Sequence, residues 1–136
     1  MPPRPTGAQI TALNTRFRHR AATNVLRAAL QDGVFGRTAL LSSFGAESVV
    51  LLHLVATVRR DTPVLFIDTG KLFAETLVYQ QEMAERLHLT NLRILSADTG
   101  QIATADPYGA LHLKDPDACC TLRKTQPLNR ALDGFD

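Results

Sequence analysis

The run Val64-Leu65-Phe66-Ile67-Asp68 constrains the fold of this chain more than any other stretch. It follows Pro63 and is continuously apolar until its last residue, the pattern of a strand covered on both faces. On either side lie stretches with helical spacing, Glu47–Arg60 and Phe73–His88; in the second, Leu77, Ala84 and Leu87 share a stripe. Two further short apolar runs, Thr38–Ser42 and Leu92–Ser96, are too brief for helices and read as strands. Strand, helix, strand, helix, strand predicts an α/β fold, a parallel sheet with flanking helices. Ligands of such sheets bind at the carboxyl ends of the strands. The connections Ser42–Ser48, Thr69–Leu72 and Ala97–Asp117 are therefore expected on one edge.

Residues 1–37 read as a helical segment ahead of this unit. Met1–Pro5 is a proline-rich start expected to be mobile. Thr6 and Gln9 form a capping-box pattern, and Ile10, Leu13, Phe17, Val25 and Leu26 follow at near-helical spacing. Residues 8–32 are thus expected to form one or two helices, ended by Gly33 and Gly36. After the third strand, Ala97–Asp117 carries Gly100, Pro107, Gly109 and Pro116 and reads as a long loop, functional or mobile. Cys119–Lys124 is expected to open a helix, and Pro127 suits the first position of another.

The 136 residues suffice for one domain with a real core. The net charge of +2 does not imply nucleic acid. No apolar run approaches the roughly 20 residues of a membrane span. Two cysteines argue against a disulfide scaffold and fit a reducing compartment, the cytoplasm. Arg4, Arg16, Arg18, Arg20 and Arg27 precede the first acid, Asp32, and read as a solvated basic helix face; with no serine before Ser42, a transit peptide is disfavoured.

Three motifs carry chemistry. Ser42-Ser43-Phe44-Gly45-Ala46-Glu47-Ser48 joins the first strand to its helix. Its hydroxyls, a glycine turn and a helix N-terminus can form a concave anion site, or a plain turn with serine caps. Asp68-Thr69-Gly70-Lys71 ends the second strand, where Gly70 permits close backbone approach and Lys71 can meet an anion; Asp68 can equally cap the turn. Cys119 and Cys120 are adjacent, with Cα atoms about 3.8 Å apart, below the roughly 4.4–6.8 Å of ordinary disulfides. Beside Arg123 and Lys124 they suit a soft metal or redox chemistry, or are small hydrophobes near a helix start. The histidines read as structural or solvated: His53 as a core or boundary residue, His19 and His88 as solvated. His112 reads as a surface residue, with a substrate or metal contact left open.

Ser43-Phe44-Gly45-Ala46-Glu47-Ser48 resembles the pyrophosphate-loop pattern of adenine nucleotide alpha hydrolases, whose fold is Rossmann-like. Asp68-Thr69-Gly70-Lys71-Leu72-Phe73 with Glu75-Thr76 resembles a signature of the phosphoadenylyl and adenylyl sulfate reductases. Cys119-Cys120 with Arg123-Lys124 and Pro127-Leu128 resembles the first half of the iron–sulfur motif of the assimilatory adenylyl sulfate reductases. The resemblance implies that residues 38–136 are part of such a reductase domain. It implies adenylyl sulfate as substrate, since the phosphoadenylyl branch lacks the cysteine pair. By the same resemblance, Ser42, Ser43, Phe44, Gly45, Ala46, Glu47, Ser48, Thr69, Gly70 and Lys71 bind the nucleotide. Cys119 and Cys120 ligate a [4Fe-4S] cluster, and Lys124 lies between cluster and substrate. A C-terminal cysteine attacks the sulfate sulfur, giving an S-sulfonate and AMP, and thioredoxin then releases sulfite.

The chain departs from that family pattern in having neither a second cysteine pair nor a C-terminal nucleophilic cysteine. It is expected to be an amino-terminal fragment or the product of a truncated gene, with a homo-oligomer or a complementing C-terminal chain as its expected protein partners besides thioredoxin. Three alternatives stand beside this reading: a non-catalytic adenine-nucleotide-binding fragment, a phosphoadenylyl sulfate reductase, and an ATP-cleaving adenylylating ligase. The Asp68–Lys71 signature and the cysteine pair count against the ligase.

Overall fold

The computed structural model describes residues 5–136; Met1–Arg4, most of the proline-rich start, lie outside the described residues. Two helices come first, α1 (Gly7–Phe17) and α2 (Ala22–Leu30). Thr6 caps α1 through the expected box: its hydroxyl accepts from the Gln9 amide at 3.3 Å, and the Gln9 side chain accepts from the Thr6 amide at 2.7 Å. No residue of α1 is buried, and Arg16 lies over the Phe17 ring at 5.0 Å.

The sheet follows as β1 (Leu40–Leu41), β2 (Val64–Ile67) and β3 (Leu92–Leu95), with α3 (Ala46–Val58) and α4 (Ala74–Arg86) as crossovers. The strand order is β1-β2-β3 and both pairings are parallel. Leu40 pairs with Val64 and Val64 with Leu92, so aligned side chains share a face. β1 is shorter than Thr38–Ser42, although Ser42 still donates its amide to the Leu65 carbonyl at 3.0 Å.

The sheet is covered by helices, as the run in β2 requires. On one side Val64 and Phe66 form a cluster with Phe44 and Leu52, supported by Val49, Met83, Leu87 and Leu92. A second cluster, Leu30, Val55 and Val58, joins α2 to α3. Helix α8 (Gln126–Ala131) lies against β2 and β3 and completes the burial of β2. Val64 and Leu65 have no exposed surface, and Phe66 has 2%. At about 25 cal/mol per Å² of apolar surface removed from water, this strand is a principal source of the fold's stability.

Three expectations need correction. Ala97–Asp117 is not one long loop: it contains α5 (Thr99–Ala105) and α6 (Leu111–Lys114), and α7 (Pro116–Cys120) begins inside it. Pro107 and Gly109 do form a turn, between α5 and α6, but Gly100 and Pro116 lie in the first turns of helices. Asp98 caps α5 by accepting from the Gln101 amide at 3.0 Å, and Asp115 caps α7 by accepting from Ala118 at 3.0 Å, with Pro116 in its first turn. Second, Cys119 and Cys120 end α7 rather than opening a helix, and the chain stays helical through a π-helical turn, Thr121–Thr125, into α8, where Pro127 lies in the first turn. Third, His53 is exposed, because α3 turns Leu52, Val55, Ala56 and Val58 inward and leaves Val50, Leu51 and His53 outside.

Candidate nucleotide and thiol site

The connections from β1 and β2 to their helices leave the carboxyl edge of the sheet together, as parallel order demands. Phe44 anchors the first of them. Its backbone takes the left-handed conformation, φ 57°, unusual for a bulky residue and costing roughly 1–2 kcal/mol. Burial of the ring compensates: it is 2% exposed and meets Phe66 edge to face at 5.5 Å. This twist lets Ser42 accept from the Phe44 amide at 3.1 Å and Ser43 accept from the Gly45 amide at 3.3 Å. The Ser43 and Ser48 hydroxyls lie 3.4 Å apart. Two of the expected hydroxyl donors therefore also build the turn. The first amides of α3, those of Ala46, Glu47 and Ser48, have no acceptor within the helix and lie at its positive end. Glu47 is exposed in that first turn and Phe44 points into the core, so the groups this loop offers to an anion are backbone amides and hydroxyls.

The second connection is Asp68–Leu72. Asp68 accepts from the Gly70 amide at 2.9 Å, and Thr69 accepts from the Lys71 amide at 3.2 Å. Gly70 has φ 73°, a conformation glycine adopts without strain. Leu72 packs into the same cluster as Phe44, so one core anchors both connections. The Lys71 ammonium donates to the Gly109 carbonyl, tying the turn to the segment between α5 and α6.

Arg123 links the cysteine-bearing helix to this edge. Its Nη1 donates to the Thr69 carbonyl at 2.7 Å and its Nη2 to Asp106 Oδ2 at 2.9 Å. The side chains of Arg123 and Asp106 are only 7% and 3% exposed. Asp106 Oδ1 accepts from the Leu111 amide at 3.0 Å, whereas Arg123 Nε is buried without a partner. This helix sorts its residues onto two faces. Cys119 and Arg123, four residues apart, are buried; Cys120 and Lys124, equally spaced, are exposed. Both thiols are free.

The Arg123 hydrogen bond holds the Asp106 carboxyl below its ordinary range, against burial, with the Leu111 amide helping. A depressed carboxylate contributes stability in full above the unfolded value, about 3.9, and loses it as the pH falls through the folded value. Asp106→Asn is therefore expected to melt at least ~10 °C below wild type at pH 7. The gap should narrow below about pH 4, and thermal melts from pH 7 to pH 3 check this.

The sites named from the sequence divide accordingly. Thr69, Gly70 and Arg123 come together, and Ser42–Ser48 stands beside them on the neighbouring strand. Asp106 was missed; a lone Asp before a proline has no spacing that announces a buried partner. A broad groove between α4 and β3, whose polar lining is Gln80, Gln81, Glu85, His88 and Thr90, shares no residue with these loops. No group of three or more His, Cys, Asp or Glu side chains among the described residues could hold a metal. Iron–sulfur cubes need four thiolates, so the two cysteines alone do not fit a complete cluster.

A family profile described as the phosphoadenosine phosphosulfate reductase domain matches residues 37–136. The chain belongs to that family. An adenosine 5'-phosphosulfate reductase from Chelativorans sp. (strain BNC1) is 41% identical over 98% of this chain and 56% of its own length. One of the same name from Mesorhizobium japonicum is 37% identical over 94% of the chain and 50% of its own. A phosphoadenosine 5'-phosphosulfate reductase from Aliivibrio salmonicida is 38% identical over 92% and 50%. The chain thus spans about half the length of the curated relatives it matches. The crystal structure of phosphoadenylyl-sulfate reductase from Candida auris, a phosphate complex, superposes with a TM-score of 0.78. It covers 95% of this chain and 63% of its own, at 22% identity, a likeness of fold. No helix among the described residues is long and apolar enough to cross a membrane.

Proposed function

We propose that this chain is the nucleotide-binding part of an assimilatory adenylyl sulfate reductase, reducing adenylyl sulfate to sulfite and AMP with thioredoxin as donor. One observation carries the reading: Arg123, on the helix that bears Cys119-Cys120, donates to the Thr69 carbonyl in the turn after β2, which supports a site shared by thiols and loops. The cysteine pair favours adenylyl over phosphoadenylyl sulfate. The relatives bear both names, so phosphoadenylyl sulfate stands as the second reading.

In this assignment the α3 amides and the Ser43 and Ser48 hydroxyls receive the phosphate. Thr69, Gly70 and Lys71 form the second wall, and Lys124, on the Cys120 face, attracts the sulfate. Cys119 and Cys120 would supply two of four thiolates to a [4Fe-4S] centre. The other two, and the cysteine that attacks sulfur, would come from residues other than these 136. Reduced neighbouring thiols suit the cytoplasm. With no separate nucleophile, this chain by itself should bind nucleotide without forming sulfite.

Calorimetry with AMP, adenylyl sulfate and phosphoadenylyl sulfate tests the reading. Adenylyl sulfate should bind more tightly than its 3'-phosphorylated analogue. Ser43→Ala should weaken it at least about tenfold, since a hydrogen bond to a charged group contributes roughly 1.5–3 kcal/mol. Equal affinity of wild type and Ser43→Ala would remove the loop from the site. Tighter binding of the phosphorylated analogue, together with an iron-free protein after anaerobic purification of a full-length relative, would favour the second reading. Pyrophosphate release from ATP would favour a ligase.

A further inference from the structure

We propose that Asp106 is a positioning residue for the nucleotide turn, acting through Arg123; the proposal rests on the nucleotide reading above. An arginine–carboxylate pair built for strength alone tends to be bidentate, with two parallel N–H···O bonds. This pair is not. Arg123 divides its donors between Asp106 Oδ2 and the Thr69 carbonyl and leaves Nε buried without an acceptor. Its orientation is thus set by Thr69 as much as by the carboxylate. Asp106 in turn is fixed from behind, because its other oxygen holds the Leu111 amide and its own amide donates to the Ile102 carbonyl at 2.8 Å.

The consequence falls on the next residue along the turn. A Cβ on Gly70 would lie 3.1 Å from Arg123 Nη1, so the guanidinium packs directly against the glycine backbone. Held there, it fixes the Thr69–Gly70 peptide and with it the approach of Lys71. Without the Asp106 charge, a guanidinium only 7% exposed has no counterion, and reorienting towards water would release Thr69. Asp106 has no assigned contact with nucleotide or thiols, so its effect on binding would be transmitted through Arg123.

The test uses the full chain with AMP as probe, in calorimetry at 10 °C. Asp106→Asn keeps the shape but removes the charge. Arg123→Lys keeps a cation but has no fork to span Thr69 and Asp106 together. Val55→Ala, in the core beneath α2, serves as the destabilised control. Both site variants should bind AMP at least tenfold more weakly, with faster amide exchange at Gly70 and Lys71, while Val55→Ala stays within twofold of wild type. Unchanged affinity in a folded Asp106→Asn or Arg123→Lys chain would overturn the positioning role. Failure of both variants to fold at 10 °C would overturn it too, leaving the pair a stability element. Absence of AMP binding by wild type would instead remove the nucleotide reading, and this inference with it.

Discussion

Phe66→Ala is expected to destabilise the chain by about 3–5 kcal/mol, the usual cost of deleting a buried aromatic ring. That is a large share of the roughly 5–15 kcal/mol that holds a domain of this size together. Phe66 is 2% exposed, sits in the strand buried from both sides, and meets Phe44 in a T-shaped pair with ring centroids 5.5 Å apart. The damage should not stop at stability. The Phe44 ring holds its own backbone at φ 57°, and that twist aims the Ser42 and Ser43 hydroxyls at the amides of the turn. Without Phe66 the ring loses its partner and the twist its compensation. Urea unfolding should show the fall in midpoint, and AMP calorimetry on the fraction that folds should show weaker binding. Phe66→Leu fills more of the hole and should cost less in both. A Phe66→Ala chain with wild-type affinity would show that the turn holds its shape without the aromatic pair.

Gly70→Val should be the most damaging single change at the site itself. The φ of 73° is strained for any side chain, and a β-branched one is a genuine outlier there. The left-handed conformation alone costs about 1–2 kcal/mol. To this is added the 3.1 Å approach of the new Cβ to Arg123 Nη1, with the branches of valine still to be placed. The guanidinium is held by Thr69 and Asp106 and has little room to give. AMP binding is expected to fall below detection while circular dichroism still reports a folded chain. Gly70→Ala should be intermediate. Wild-type affinity in Gly70→Val would mean that the turn does not approach the nucleotide.

How much of this was legible in the sequence depended on how local each signal was. The runs at Val64–Ile67 and Leu92–Leu95 were legible as strands to within a residue or so, and the crossover helices α3 and α4 to within two, because an apolar period is written in neighbouring residues. From those the parallel sheet and its functional edge followed. The stretch after β3 was misread because Asp98, Asp115 and Pro116 serve helix starts as readily as loops, and only the amides of Gln101 and Ala118 distinguish the two. The wholly apolar look of α3 hid which side faces the core, and so His53 was placed wrongly. Cys119-Cys120 and Arg123-Lys124 were visible as types, but their sorting into a buried and an exposed face was not. The partnership of Asp106 with Arg123 spans 17 residues and two helix starts, and no sequence pattern encodes it.

The π turn at Thr121–Thr125 decides how this helix answers a change in chain length. Each residue of an α-helix advances the rotation by about 100°. A π turn closes its hydrogen bond one residue later and so spends one more residue on about the same rotation. Deleting one residue there would let the helix revert to ordinary α winding with Cys119 and Cys120 still nearly in phase with Pro127, which is buried, and Leu128, whereas inserting one would swing them by about 100°. Substitutions at the exposed Thr121 and Thr125 leave that phase untouched. The segment from Pro116 to Ala131 therefore answers unequally to changes of count: a reading frame one codon short at the π turn keeps the thiol face, and one codon long turns it away.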